Sequence, residues 1–117
     1  MRDLNLTSKK RLEHIIKAIS DIEGFTNEYS KESFINDVVL INAVLFQFTI
    51  IGEAINHVDN TLLDKYPYSW YKARAFRNFI VHEYHAIEFG IVWEAVKKDL
   101  PELKKIIQSI LVKELFE

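Results

Sequence analysis

A chain of 117 residues with a formal net charge of −2 and no cysteine is the length of one domain. It can bury roughly two-thirds of its unfolded surface without help from a metal or a disulfide. The missing thiols exclude a disulfide framework, thiolate catalysis and any cysteine-based zinc site. The slight acidity excludes wholesale attraction to nucleic acid, so an RNA ligand needs a local basic patch.

The first eleven residues, Met1 to Arg11, carry no apolar core of the length a secretory leader requires. The most apolar stretch, Val38 to Ile51, is interrupted by Asn42, Gln47 and Thr49 and is too short to span a bilayer. The expectation is a single soluble cytoplasmic domain over residues 1–117, without membrane association.

Apolar residues recur at three- and four-residue steps, with only three glycines and two prolines, which predicts helices throughout and no strand. Leu12, Ile15, Ile16, Ile19 and Ile22 make one face of a first helix opposite Lys10, Glu13, Lys17 and Asp21, with Gly24 as its stop. A second helix is predicted from about Glu32 to Val58. Its residues Phe34, Val38, Ile41, Leu45, Phe48, Gly52 and Ile55 follow the 4-3 spacing of a knobs-into-holes seam. Leu40, Val44, Ile51, Ala54 and Val58 add a second apolar stripe, so the helix needs neighbours on more than one side. Asn42, Thr49, Glu53 and Asn56 form a narrow polar stripe that faces the bundle interior, a site or solvent.

Asp59 to Ser69 reads as a loop, directed by Pro67, with Ser69 as N-cap of a third helix from about Trp70 to Tyr84. A fourth begins near Ile87 and holds Ile91, Val92 and Ala95. Asp99 with Glu102 reads as a capping box and Pro101 as a first-turn proline, so a fifth helix starts there. Its buried face is Leu103, Ile106, Ile107, Ile110 and Leu111. The sum is an all-α, antiparallel four- to five-helix bundle.

The chemistry concentrates in Arg77-Asn78-Phe79-Ile80-Val81-His82-Glu83-Tyr84. RNA is cut without a metal when its own 2′-hydroxyl attacks the adjacent phosphate, which requires a base, an acid and a cation near phosphorus. His82 suits acid/base work near neutrality; the planar fork of Arg77 suits phosphate oxygens. On an ideal helix His82 lies about 140° from Arg77, whereas Tyr84 returns to within about 20° of it. Either the helix unwinds near His82 or the site is assembled across two chains. A two-fold homodimer also supplies two histidines, one as base and one as acid. Residue types alone leave other readings open: an ion pair of Arg77 with Glu53 or Glu83, a carbonyl-bonded His82, and Tyr84 as core packing. Lys72 and Arg74, on the segment that carries Arg77, are the RNA-binding candidates. Lys9-Lys10-Arg11, Lys97-Lys98 and Lys104-Lys105 are further basic runs, each also readable as a solvated helix face.

His82, Glu83 and His85 do not make a metal site, because the histidines stand three apart rather than four and lack a third ligand. No cofactor is expected. There is no glycine-rich phosphate loop, no Ser/His/Asp arrangement, and neither the Gly-Ser turn nor the paired aspartates of a nucleotidyltransferase.

The Arg-x4-His-x-Tyr pattern resembles the signature of the HEPN ribonucleases, in particular their HepT branch. The surrounding residues extend the likeness: Ile51-Gly52-Glu53-Ala54, Tyr66-Pro67 with Trp70, Val92-Trp93, and Asp99-Leu100-Pro101-Glu102-Leu103, together covering residues 8–107. The resemblance implies a HEPN-like homodimer acting as a metal-independent endoribonuclease toxin, with Arg77 and His82 catalytic and Asn78 and Glu53 supporting them. It also implies a minimal nucleotidyltransferase antitoxin that assembles with the toxin and silences it by adenylylating Tyr84. Such a tag adds charge and bulk beside Arg77 and His82. One departure is Glu83, where such motifs often carry Gly. The alternative within the same resemblance is a non-catalytic substrate-binding or partner-binding subunit of a nucleotidyltransferase.

Overall fold

The apolar stripe from Leu12 to Ile22 coils into α1, Arg2–Thr26, and Leu12, Ile15, Ala18, Ile19 and Ile22 are buried. The computed structural model in which this is seen describes residues 2–114, with side chains from Thr7 onward; Met1, the side chains of residues 2–6 and residues 115–117 lie outside the description. Gly24 does not stop the helix. It faces open space, so nothing demands its freedom, and α1 runs on until the Thr26 hydroxyl folds back onto the Ile22 carbonyl at 2.8 Å. The chain reverses at Glu28, whose φ of 68° lies in the left-handed region.

The predicted second helix breaks in two. A reciprocal Ser30/Ser33 capping box starts α2, Lys31–Ile35. Asp37 then starts α3, Val38–Asn56, by accepting a hydrogen bond from the Leu40 amide at 3.0 Å. The apolar period runs straight through this break, because a short carboxylate competes for backbone N–H groups without disturbing the spacing of its neighbours. Both apolar stripes of α3 are buried, apart from Val38 at its first turn. By length and composition α3 is apolar enough to cross a membrane, contrary to the expectation from Val38–Ile51. It continues through Ala54 and Ile55 with Glu53 as its only charge. Half of its apolar window is buried inside the bundle, as in the core helix of a globular domain.

The expected loop holds a short helix, α4, Asn60–Leu63, capped by Asp59. The next helix, α5, is Trp70–His82; Ser69 occupies its N-cap position without making a side-chain cap bond. The Trp70 indole instead ties this start to the Leu63 carbonyl at 3.1 Å. Asp99 and Glu102 do not form a capping box. The helix α6, Phe89–Glu94, passes through a π-helical stretch, Ala95–Asp99, straight into α7, Leu100–Lys113, and Asp99 has helical dihedrals. Inserting one residue into a continuing helix meets the same sequence cues as starting a new one.

Cross-helix bonds set the directions. The Asp59 amide donates to the Ser8 hydroxyl at 3.0 Å, placing the start of α1 beside the end of α3. Lys104 at the start of α7 reaches Glu23 near the end of α1 at 3.0 Å. Arg77 meets Glu53, and Tyr84 meets Asn42, so α5 runs antiparallel to α3. The result is an all-α antiparallel bundle with no strand among the described residues, and α3 lies between α1 and α5.

Candidate active site

The site begins with a glycine. A Cβ at Gly52 would collide with the Cβ of Arg77 and crowd the Ala73 carbonyl, so its absence lets α5 lie directly on α3. The neighbouring Glu53 then faces the Arg77 guanidinium, Nη2 to Oε1 3.2 Å, while its other oxygen meets His57 Nε2 at 3.0 Å. A second Arg77 nitrogen donates to the Asn78 side-chain oxygen at 3.0 Å. Arg77 is thus held half-buried in one orientation by the two residues expected to support it.

The helix does unwind next to His82, the last residue of α5. The Glu83 amide closes the last turn on the Phe79 carbonyl at 2.7 Å, and Glu83 leaves helical geometry at φ −129°. His82 is therefore exposed at the helix terminus. Tyr84 opens a 3-10 turn, Tyr84–Ala86, and the ideal i+7 relation to Arg77 no longer applies. Its hydroxyl donates to Asn42 Oδ1. Asn42 and Glu53 are eleven residues apart on α3, so the Arg77 and Tyr84 attachment points are about 16 Å apart along it. Of the polar stripe on α3, Asn42 meets Tyr84 and Glu53 meets Arg77, whereas Asn56 makes neither contact; Asn42 and Asn56 are exposed, Thr49 and Glu53 half-buried.

Between α1 and α5, over α3, runs an open groove of about 370 Å³ lined by Arg11, His14, Thr49, Glu53, Arg77 and Val81. The sequence reading missed His14 and placed Arg11 only in a basic run; their i, i+3 spacing on the first helix was the available signal. The other predicted basic residues diverge from Arg77. Lys72 lines a separate cleft of about 490 Å³ with Tyr68, Asp99 and Glu102, where burial first, then the Asp99 and Glu102 charges, push the Tyr68 phenol up. Arg74 turns to Asn60 at 3.2 Å. Among the described residues no group of three His, Asp or Glu side chains is placed to hold a metal ion.

Beside the motif the surface is apolar. Val39 and Phe46 on α3 are 81% and 63% exposed, and Phe79, Val81 and Tyr84 are exposed nearby in the chain.

Fold and motif together define a helical bundle that carries the Arg-x4-His-x-Tyr motif over the last turns of α5 and the turn after it. The chain belongs to the HepT-like ribonuclease family, whose model matches residues 15–110. It is 35% identical over 97 residues to a probable ribonuclease HepT of Thermococcus cleftensis, covering 82% of this chain and 88% of the relative. A candidate RNase of Caldanaerobacter subterraneus subsp. tengcongensis is 32% identical over 109 residues, 92% of this chain and 97% of that one. A gamma-glutamylcyclotransferase and candidate RNase of Methanocaldococcus jannaschii is 34% identical over 101 residues, but the match spans 86% of this chain and only 46% of that relative. No solved structure gives a significant match.

Proposed function

We propose that this chain is a metal-independent endoribonuclease, the toxin of a cytoplasmic toxin-antitoxin pair whose antitoxin is a minimal nucleotidyltransferase, and that it works as a two-fold homodimer. The supporting observation is the end of α5 at His82, which exposes an imidazole just beyond an arginine clamped by Glu53 and Asn78. Each chain contributes one His82, a base without an acid; a second copy docked on the apolar face of Val39 and Phe46 supplies the other.

In the reaction one His82 takes the 2′-hydroxyl proton of the RNA. The 2′-oxygen bonds to phosphorus while the bond to the 5′-oxygen breaks. The second copy's His82 returns a proton to that leaving oxygen, giving a 2′,3′-cyclic phosphate and a 5′-hydroxyl. Arg77 stabilises the charge that builds on the equatorial oxygens; Glu53 and Asn78 keep its fork aimed. Tyr84 is 43% exposed and its hydroxyl is held only by Asn42 among the described side chains, which leaves the residue open to an antitoxin for adenylylation. The added phosphate brings negative charge to the surface where RNA binds.

The test is incubation of wild type and His82→Ala with mixed cellular RNA in a chelator, after intact mass shows Tyr84 unmodified. Cleavage by wild type alone, leaving cyclic phosphate ends, is the expected result. Silence from both unmodified proteins, with tight binding to a nucleotidyltransferase, would make the chain a partner-binding subunit instead.

A further inference from the structure

The groove between α1 and α5 carries two guanidinium groups, from Arg11 and Arg77, and the His14 imidazole against one carboxylate, Glu53. That carboxylate is already shared between Arg77 and His57. Among the described residues, Arg11 and His14 make neither an ion pair nor a side-chain hydrogen bond. In a chain of net charge −2 this concavity holds two guanidinium groups against one carboxylate, a local excess of positive charge of the kind that raises anion concentration. The volume, about 370 Å³, falls in the range of about 300–1,000 Å³ usual for small-ligand sites. Thr49 donates its hydroxyl proton to the Phe46 carbonyl at 2.6 Å, so on the groove floor it presents an acceptor, suited to a sugar hydroxyl and not to a phosphate oxygen. Arg11 and His14 stand three residues apart on α1, close enough to share one face of it.

We infer that Arg11 and His14 form a phosphodiester subsite on the α1 side of the groove, which holds the RNA backbone next to the phosphate gripped by Arg77. The inference rests on the ribonuclease reading for the identity of the ligand. It adds to that reading a binding wall on a different helix from the motif, and it sets the direction in which the strand leaves Arg77: across α3 toward α1.

The probe is a fluorescein-labelled single-stranded RNA carrying 2′-O-methyl at every position, which cannot be cleaved by transphosphorylation. Its binding is followed by anisotropy across a salt series, with circular dichroism confirming that each variant is folded. Arg11→Gln is expected to weaken binding about fivefold and to lower the slope of log affinity against log salt by about 0.7, one phosphate contact on a single strand. His14→Gln weakens binding about twofold to threefold. Lys97→Gln, whose ammonium sits over the Trp93 ring at 4.7 Å, leaves both quantities unchanged. Wild-type affinity and slope in Arg11→Gln would overturn the subsite, as would no binding of the probe by wild type. Cleavage of unmodified RNA is measured in parallel, so the two readings fail separately. Cleavage with unchanged Arg11→Gln binding removes the subsite and keeps the nuclease. Weakened binding without wild-type cleavage keeps the subsite and removes the nuclease.

Discussion

Glu53 holds Arg77 across the seam between α3 and α5 at 3.2 Å, and it spends its second oxygen on His57 at 3.0 Å. An ion pair this exposed contributes only about 0–1 kcal/mol to stability, so its value lies in orientation. Replacing Glu53 by Gln removes the charge and keeps the shape. We expect the melting temperature of Glu53→Gln to move by no more than a few degrees, the shift about 1 kcal/mol gives in a domain of this size. RNA cleavage should fall about tenfold in kcat with KM nearly unchanged. Arg77→Ala, which removes the cation itself, should cost about 10²–10³ in kcat. A Glu53→Gln enzyme with wild-type kcat would show that the pair has no part in aiming Arg77.

Gly52 makes that seam close enough for the pair to form. In an exposed helix, Gly→Ala stabilises by about 1 kcal/mol through propensity. At position 52 the added methyl would collide with the Arg77 Cβ, and it would approach the Ala73 carbonyl to 3.0 Å, so something must shift. Overpacking of this kind costs about 1–3 kcal/mol, and here the backbone carbonyl cannot swing away as a side-chain tip can. Gly52→Ala should therefore lower stability by about 1 kcal/mol net, measured by urea unfolding, and displace Arg77. Cleavage should drop more than the unfolding data explain. A stabilised Gly52→Ala protein would mean that the helices part at no cost.

The helical class, the buried faces of α1 and α7 and the double stripe of α3 were all legible in the sequence, because burial imposes a 3.6-residue period that composition displays directly. Glu53 and Arg77 were legible as potential partners. Their contact was not, because it depends on how far α5 sinks into the notch at Gly52, a property of two helices and not of either one. The break at Asp37 and the π-helical stretch at Ala95–Asp99 escaped for a local reason: each changes the path of the chain without interrupting the apolar period. His14 escaped because one histidine on a helical surface has no meaning until a second helix brings Arg77 to face it.

Val39 and Phe46 stand one helical face apart from the core seam, 81% and 63% exposed, with the Tyr84 anchor at Asn42 between them in sequence. Large apolar side chains grouped beside a reactive segment mark an interaction surface. If the second copy sits there, a charge at its centre must be desolvated on association, which costs several kcal/mol. Phe46→Glu should then be monomeric by sedimentation at concentrations where wild type is dimeric, with helical content unchanged and RNA cleavage lost. A dimeric Phe46→Glu protein would place the two-fold contact elsewhere.

The Tyr66 hydroxyl donates to Glu114 at 2.8 Å, and Lys65 meets the same carboxylate at 3.3 Å, tying the segment before α5 to the end of α7. The hydrogen bond from Tyr66, ahead of the opposing effect of burial and the help of Lys65, holds the Glu114 carboxyl below its ordinary value of 4.5. A carboxylate depressed on folding contributes stability that is complete above its unfolded value and is lost as pH falls through the folded one. This link should therefore weaken as the pH falls below about 4.5. The phenol behaves oppositely: burial, then Glu114, raise the Tyr66 value above 10.0, so its contribution is complete below that pH and fades as the folded phenol ionises. Tyr66→Phe keeps the ring and removes the donor. Its stability should be lower than wild type near neutrality, and the gap should close as the solution is taken down to about pH 3. Thermal unfolding of both proteins across that range checks it. A gap of constant size from pH 7 to pH 3 would mean that Tyr66 supports α7 by packing alone.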